Sequence, residues 1–252
     1  MAATKENINN TFFDGIYKDV WRQLIPNGLS EAEVDFIVEV AGLQQNDSVL
    51  DIMCGYGRHA LELGNRSMHV TAIDNLPAYI EEIRKKAVAA SVPVKAVLSG
   101  ALEMKLTQVY DAVVCMGNSF AFFNKEDCES MLKNISAHLK PGGVLVINSW
   151  MIAEIAIKHF RDKDWHQVND YKYLLDYKFL FNPNRIQSEQ TIVSLDGVVE
   201  VLHGIDYIFT LDELETMFAE VGMTTRALYS TPRKRPFIFG DSRVYIVVEK
   251  LS

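Results

Sequence analysis

The sequence predicts an α/β fold built on a parallel sheet covered by helices on both faces. The first observation is alternation: short β-branched runs (SVLDIM, HVTAID, VKAVLS, YDAVVCM, GVLVINSW) are separated by helical stretches such as YIEEIRKKAVAA and EDCESMLKNISAHLK. Strands alternating with amphipathic helices make βαβ units, and the near-continuous apolar character of the runs fits a sheet buried on both sides. The second is the joint LKPGGVLVINSW, where Pro141 and the Gly142-Gly143 pair end one helix and launch a strand within a few residues. The third is a break in the pattern after residue 150, where the alternation gives way to extended runs only.

Each element has a local reason. ENINNTFFDGIYKDVWRQLI reads as an N-terminal helix, with Phe12, Phe13, Ile16, Val20 and Leu24 near a 3.6-residue repeat. SEAEVDFIVEVAGL reads as a second helix, with Ser30 as N-cap, Glu33 at the capping-box spacing and Gly42 as the stop. The five strands and their helices then run to residue 150. From Tyr171 to Phe209 the chain reads as three extended runs, turned at Asn182-Pro183-Asn184 and at Asp196-Gly197, which makes an antiparallel meander. Thr210 and Glu213 form a second capping-box pair that opens the helix TLDELETMFAEVGM, and the strands TTRALYS and RVYIVVEK follow.

Composition excludes several classes of function. The 252 residues are 48% apolar and 23% charged, ordinary for a globular chain, and a net charge of −8 argues against a phosphate backbone or an anionic membrane as partner. Arg233, Lys234 and Arg235 form the one basic cluster, which reads as a solvated turn and leaves an anionic small substrate open. Cys54, Cys115 and Cys128 are unpaired in spacing, and the six histidines make no metal-ligating pair on a helix face, so no disulfide framework or metal site is expected. With no apolar core of signal length in MAATKENINN and no run approaching a membrane span, the expectation is a cytoplasmic protein, monomer or homodimer.

The chemistry concentrates in VLDIMCGYGRHALEL, residues 49–63. Gly55, Gly57 and Ala60 satisfy the dinucleotide fingerprint, and Asp74 lies about twenty residues downstream at the end of the next strand. That motif alone is weak. Asp51 discriminates: a pyrophosphate at a helix N-terminus is repelled by a neighbouring carboxylate, whereas S-adenosylmethionine has no phosphate and carries an ammonium and a sulfonium. Asp74, with two acceptor oxygens, suits paired ribose hydroxyls.

On these residues the chain resembles the class I S-adenosylmethionine-dependent methyltransferases from about residue 30 onward. The resemblance rests on DIMCGYG, TAIDNLP, YDAVVCMGNSF, LKPGGVLVINSW and RVYIVVEK. It implies a Rossmann-like seven-stranded sheet of order 3-2-1-4-5-7-6 with strand 7 antiparallel. Residues 1–29 would be an N-terminal helical lid on a methyltransferase domain of residues 30–252, with an antiparallel β insert at 160–208 that serves the substrate. The cofactor set it implies is Asp51, Cys54, Gly55, Gly57, Arg58, Asp74, Asn75, Leu76, Ala101, Leu102 and Met116. Two departures stand out: Met53 occupies the place of the family's frequent first glycine, and Gly100 stands where many members have an adenine-binding Asp.

Methyl transfer is an in-line displacement that asks for positioning and exclusion of water, and a neutral amine needs no strong base where an alcohol or phenol does. Asn118, in the loop after the fourth strand, is the residue expected to orient the substrate or the methionine end of the cofactor. Tyr17 and His203 complete the catalytic candidates, and no general base stands out. Arg161 and His166 are candidates for substrate contact. His59 is a candidate for the cofactor carboxylate or for a base, with a polar residue at the helix start as its ordinary reading. Tyr171, Tyr173 and Tyr177 fall on one face of the meander, as a pocket wall or as packing onto the domain. The reading is methyl transfer to a small-molecule acceptor, an amine by analogy with the glycine and sarcosine N-methyltransferases. A small phenol or carboxylate as acceptor, an NAD-dependent oxidoreductase and a non-catalytic cofactor-binding protein remain the alternatives.

Overall fold

The computed structural model describes residues 7–251, so Glu6 and the residues before it lie outside the described part. Its centre is a seven-stranded sheet formed by β1 (Ser48–Ile52), β2 (His69–Asp74), β3 (Val94–Leu98), β4 (Tyr110–Cys115), β5 (Leu139–Ser149), β10 (Met223–Tyr229) and β11 (Val244–Lys250). The order across the sheet is β3-β2-β1-β4-β5-β11-β10. All pairings are parallel up to β5, and β11 runs antiparallel to both β5 and β10. This is the topology expected from the resemblance, with β11 in the role of the antiparallel seventh strand.

Side-chain alternation along the buried strands builds two cores. Val49, Val114, Val146 and Val247 face α2 (Leu29–Ala41), α3 (Arg58–Asn65) and α4 (Pro77–Ala90) through Phe36, Ile37, Leu63, Ile80 and Ile83. Leu50, Val113, Leu145 and Ile246 face the opposite way, onto α5 (Lys125–His138) and α7 (Leu211–Glu220) through Met131, Leu132, Ile135, Leu214 and Phe218.

A second, four-stranded antiparallel sheet contains β6 (Lys163–Val168), β7 (Tyr171–Leu180), β8 (Arg185–Ser194) and β9 (Val199–Tyr207), and α6 (Ala153–His159) precedes it. The hairpin turns fall at the two expected dipeptide sites. The strand β6 was not legible: KDWHQV carries polar side chains on both faces, and only Val168 is buried. Arg161 and His166 therefore sit at and on an exposed edge strand, and not in a linking segment.

Two readings of the N-terminal half are corrected. The first helix is split into a 3-10 turn at Ile8–Thr11 and α1 (Tyr17–Leu24), because Gly15 takes a left-handed φ of +77°. A Cβ there would also collide with the Glu200 carboxylate, which reaches from β9 to accept from the amides of Ile16 (2.8 Å) and Tyr17 (3.3 Å) and so caps α1. Ser30 is not an N-cap either. The second helix starts at Leu29 on a left-handed Gly28, which carries Glu33 round to the sheet. At Thr210–Glu213 the same spacing does form a reciprocal capping box. No helix among the described residues is long and apolar enough to cross a membrane.

Candidate active site

Beyond the carboxyl ends of β1, β2, β3 and β4 lies a cavity of about 1030 Å³, at the upper end of the size of small-ligand sites. Its floor is the turn after β1. Met53 takes a left-handed φ of +53°, the conformation a glycine would adopt without cost, and its side chain packs on the core. Gly57 has φ +79° and passes so close to α4 that a Cβ would lie 2.6 Å from Ile83 Cγ1.

Below α3 is a buried polar network. Glu33 accepts from Arg58 Nη1, from His59 Nε2 at 2.9 Å and from Tyr245 Oη at 2.7 Å, and Ser30 Oγ takes a second contact from Arg58 at 3.2 Å. Burial pushes the Glu33 carboxyl up, but His59, Arg58 and Tyr245 outweigh it and hold it at about 2. Burial, reinforced by the Arg58 charge, lowers the His59 pKa against the pull of Glu33, so the ring is a neutral donor locked in place. His59 is therefore a structural group and not a base, while Arg58 lines the cavity with one nitrogen already committed.

Two carboxylates face the cavity. Asp74 accepts from the amides of Gly55 (2.8 Å) and Leu76 (3.0 Å), which orients it; burial raises its pKa against those hydrogen bonds. Asp51 is 1% exposed, and its Oδ2 is buried with no hydrogen-bond partner. Burial pushes its carboxyl up to about 7, the Arg58 charge opposing and the Asp74 charge adding. A buried acceptor without a donor is unfavourable by about 1–3 kcal/mol or more, so this atom is complementary to a ligand cation or N–H group. A phosphate would meet two carboxylates here.

The roof is the N-terminal segment. Asn9 donates to Phe122 O (3.2 Å) and Ile205 O (2.8 Å) and accepts from Ile205 N (2.9 Å), while Asn75 donates to Asn10 O at 3.2 Å. Arg22 is ion-paired with Glu82 on α4 and lies 4.5 Å from the centroid of the Tyr56 ring. Phe12, Tyr17 and Val20 bury their other face against Tyr173, Leu175 and Ile192 of the second sheet, so the tyrosine face of the meander packs.

Asp51, Cys54, Gly55, Arg58, Asp74, Asn75, Leu76, Ala101, Leu102 and Met116 all line the cavity, and Gly57 closes the turn beneath them. Asn118 is buried, with Oδ1 accepting from Ser149 Oγ (2.8 Å) and the Trp150 amide (3.1 Å) and Nδ2 donating to Asp206 Oδ1 (3.0 Å). It is thus a strut between the fourth-strand loop, β5 and β9. Tyr17 lies behind the roof, its hydroxyl pKa raised by burial. His203 is a correction: strand alternation puts it on the outer face of β9, half exposed and 3.8 Å from Glu189, away from the cavity. Beside Gly100, the Glu103 carboxylate fills the space that a side chain at 100 would take, so an acid is present at the end of β3 after all. Trp21, Tyr56, Tyr79 and Glu103 were missed as cavity residues; only Tyr56, inside the glycine motif, had a local signal.

Residues 49–143 match the model of a family described as a methyltransferase domain. The ubiquinone biosynthesis O-methyltransferase of Rickettsia canadensis is 28% identical over 125 residues, 48% of this chain and 52% of that protein. The glycine/sarcosine N-methyltransferase of Parasynechococcus marenigrum is 29% identical over 136 residues, 52% of this chain and 48% of that protein. The chain thus spans about half the length of the curated relatives it matches. Among solved structures, the CcbJ methyltransferase from Streptomyces caelestis superposes with a TM-score of 0.84 at 16% identity, covering 99% of this chain and all of that one.

Proposed function

We propose that the chain is a class I S-adenosylmethionine-dependent methyltransferase that methylates the nitrogen of a small-molecule amine, a reading supported by the methyltransferase-domain match over residues 49–143 and by the shared fold. The observation that carries the choice of cofactor is the unpartnered Asp51 Oδ2, which the ammonium of S-adenosylmethionine would satisfy. Asp74, already oriented by two amides, has lone pairs left for ribose hydroxyls. Leu76, Ala101, Leu102 and Met116 offer an apolar slot for the purine, and Glu103 an acceptor for its amino group. When bound, S-adenosylmethionine supplies a methyl group activated by the sulfonium.

What lines the cavity supports an amine as the acceptor. Among the described residues its only histidine is His59, held neutral on Glu33, and no lysine reaches it. An amine, which becomes nucleophilic on losing one proton, suits that inventory better than an alcohol. The roof of Asn9, Phe13 and Trp21 excludes water and favours a small acceptor over a polymer. In this reading Asn118 holds the fourth-strand loop against β5 and β9 and so fixes the wall nearest the reacting groups.

The test is transfer from S-adenosylmethionine carrying an isotopically labelled methyl to panels of amines, phenols and carboxylates. Label is expected on amine nitrogen. Labelling of phenols or carboxylates alone would overturn the choice of acceptor, and cofactor binding with no labelled product from any panel would point to a non-catalytic binder.

A further inference from the structure

Asp206 is not used by the reading above. It lies on β9, partly exposed, with Oδ1 held by Asn118 Nδ2 at 3.0 Å. Tyr17 of α1 and Tyr173 and Tyr177 of β7 stand close enough that its charge raises the pKa of each hydroxyl, although burial is the larger cause in all three. No cationic side chain among the described residues acts on it, and burial pushes its carboxyl up to about 7 against the Asn118 hydrogen bond. A carboxylate ringed by aromatic side chains and lacking a counter-charge is a site for a cation.

Asp206 lines neither cavity itself and stands between residues that line two of them. Across the ladder Asp206 pairs with Ile186, which with Trp150, Phe160, Tyr177, Arg161 and Asp164 lines a second cavity of about 390 Å³. On its other side Asn118 sits between Gly117 and Ser119, both lining the large cavity, and the Trp150 and Trp21 rings meet at 6.2 Å across the same wall.

We propose that the second cavity is the acceptor pocket, taking a primary or secondary amine carried on a ring, and that Asp206 fixes its ammonium at the wall between the two cavities. The assignment rests on the reading of the large cavity as the cofactor site. The volume suits a small ring, and the Trp150, Phe160 and Tyr177 side chains offer aromatic surface to it. An acceptor bearing a carboxylate at the reacting end would be repelled by Asp206. Asp206 Oδ2, the oxygen not held by Asn118, can take the proton: the N–H bond breaks, an O–H bond forms, and the nitrogen keeps its electron pair.

The test uses benzylamine, benzyl alcohol and benzoate as probes in ligand-observed NMR, with the protein saturated by S-adenosylhomocysteine and that saturation checked by calorimetry. Wild type is expected to bind benzylamine and neither of the others. Asp206→Asn, nearly isosteric, should weaken benzylamine at least tenfold while holding S-adenosylhomocysteine within twofold of wild type. Tyr177→Ala, which leaves the carboxylate intact, should weaken benzylamine as well and serves if the Asn variant fails to fold. Intact S-adenosylhomocysteine binding with no benzylamine binding, with equal binding by wild type and the variants, or with a preference for benzoate overturns this assignment alone. If wild type does not bind S-adenosylhomocysteine, the cofactor reading fails and this assignment with it.

Discussion

Replacing Asp51 by Asn should make the ligand-free protein more stable and the cofactor-bound protein weaker, two effects of opposite sign from one atom. Burial raises the Asp51 carboxyl from 3.8 to about 7, a shift of roughly three units at about 1.36 kcal/mol each, or about 4 kcal/mol as an upper bound. Below pH 3 the carboxyl is protonated in both folded and unfolded chains and contributes nothing. As pH rises from 3 to 7 the unfolded chain ionises first, so wild-type stability declines relative to the variant, and above 7 the difference levels off. Urea unfolding of both proteins from pH 3 to 8 should give curves that coincide at pH 3 and separate by about 2–4 kcal/mol at pH 8, with unchanged slopes. Stability curves that stay parallel over this range, or a variant less stable at pH 8, would refute the claim that Asp51 is a buried, uncompensated acid. In the same variant, affinity for S-adenosylhomocysteine should fall at least tenfold.

Other consequences follow from the same geometry. Glu33→Ala strands the buried Arg58 and His59 and should cost about 3–5 kcal/mol, read as a drop in thermal midpoint. The wild-type Glu33 contribution, from a carboxyl held at about 2 against 4.5 when unfolded, is complete above pH 4.5 and lost as the pH falls toward 2, which an acid titration of stability by circular dichroism would follow. Gly15→Ala must adopt a left-handed φ and displace the Glu200 cap, so it should destabilise the roof by more than about 1 kcal/mol and speed S-adenosylhomocysteine dissociation in stopped flow. Unchanged off-rates would remove the N-terminal segment from the closure of the site.

Much of this was legible from short-range signals. The order of the sheet followed from the resemblance, and the alternation of Val49, Leu50 and their counterparts already implied two helical layers. The site's acids were readable because Asp51 and Asp74 end strands beside a glycine turn, where ligands bind in parallel sheets. What escaped was long-range. The Ser30–Glu33 spacing imitates a capping box, and only Arg58, His59 and Tyr245, the last more than two hundred residues on, reveal that Glu33 belongs to the interior. Gly15 stands unmarked inside the run that reads as one helix, and its role appears only where Glu200 lies over it. Asp206 is the last residue but one of β9 with nothing local to mark it, and becomes a distinctive acid only when Asn118 and three tyrosines from α1 and β7 converge on it. His203, three residues earlier in the same strand, drew attention by residue type and was turned to solvent by strand parity.

The most direct test of the cofactor assignment is calorimetric titration at pH 6 with S-adenosylhomocysteine and with NADH, in two buffers of different ionisation heat, for wild type, Asp51→Asn and Asp74→Ala. An ammonium settling beside Asp51, protonated at that pH in the free protein, must drive off its proton. Micromolar binding of S-adenosylhomocysteine is expected, with release of close to one proton in wild type and none in Asp51→Asn. Asp74→Ala should bind at least tenfold more weakly, about 1.4 kcal/mol or more. Binding of NADH in preference to S-adenosylhomocysteine, or proton uptake on binding, would contradict the account.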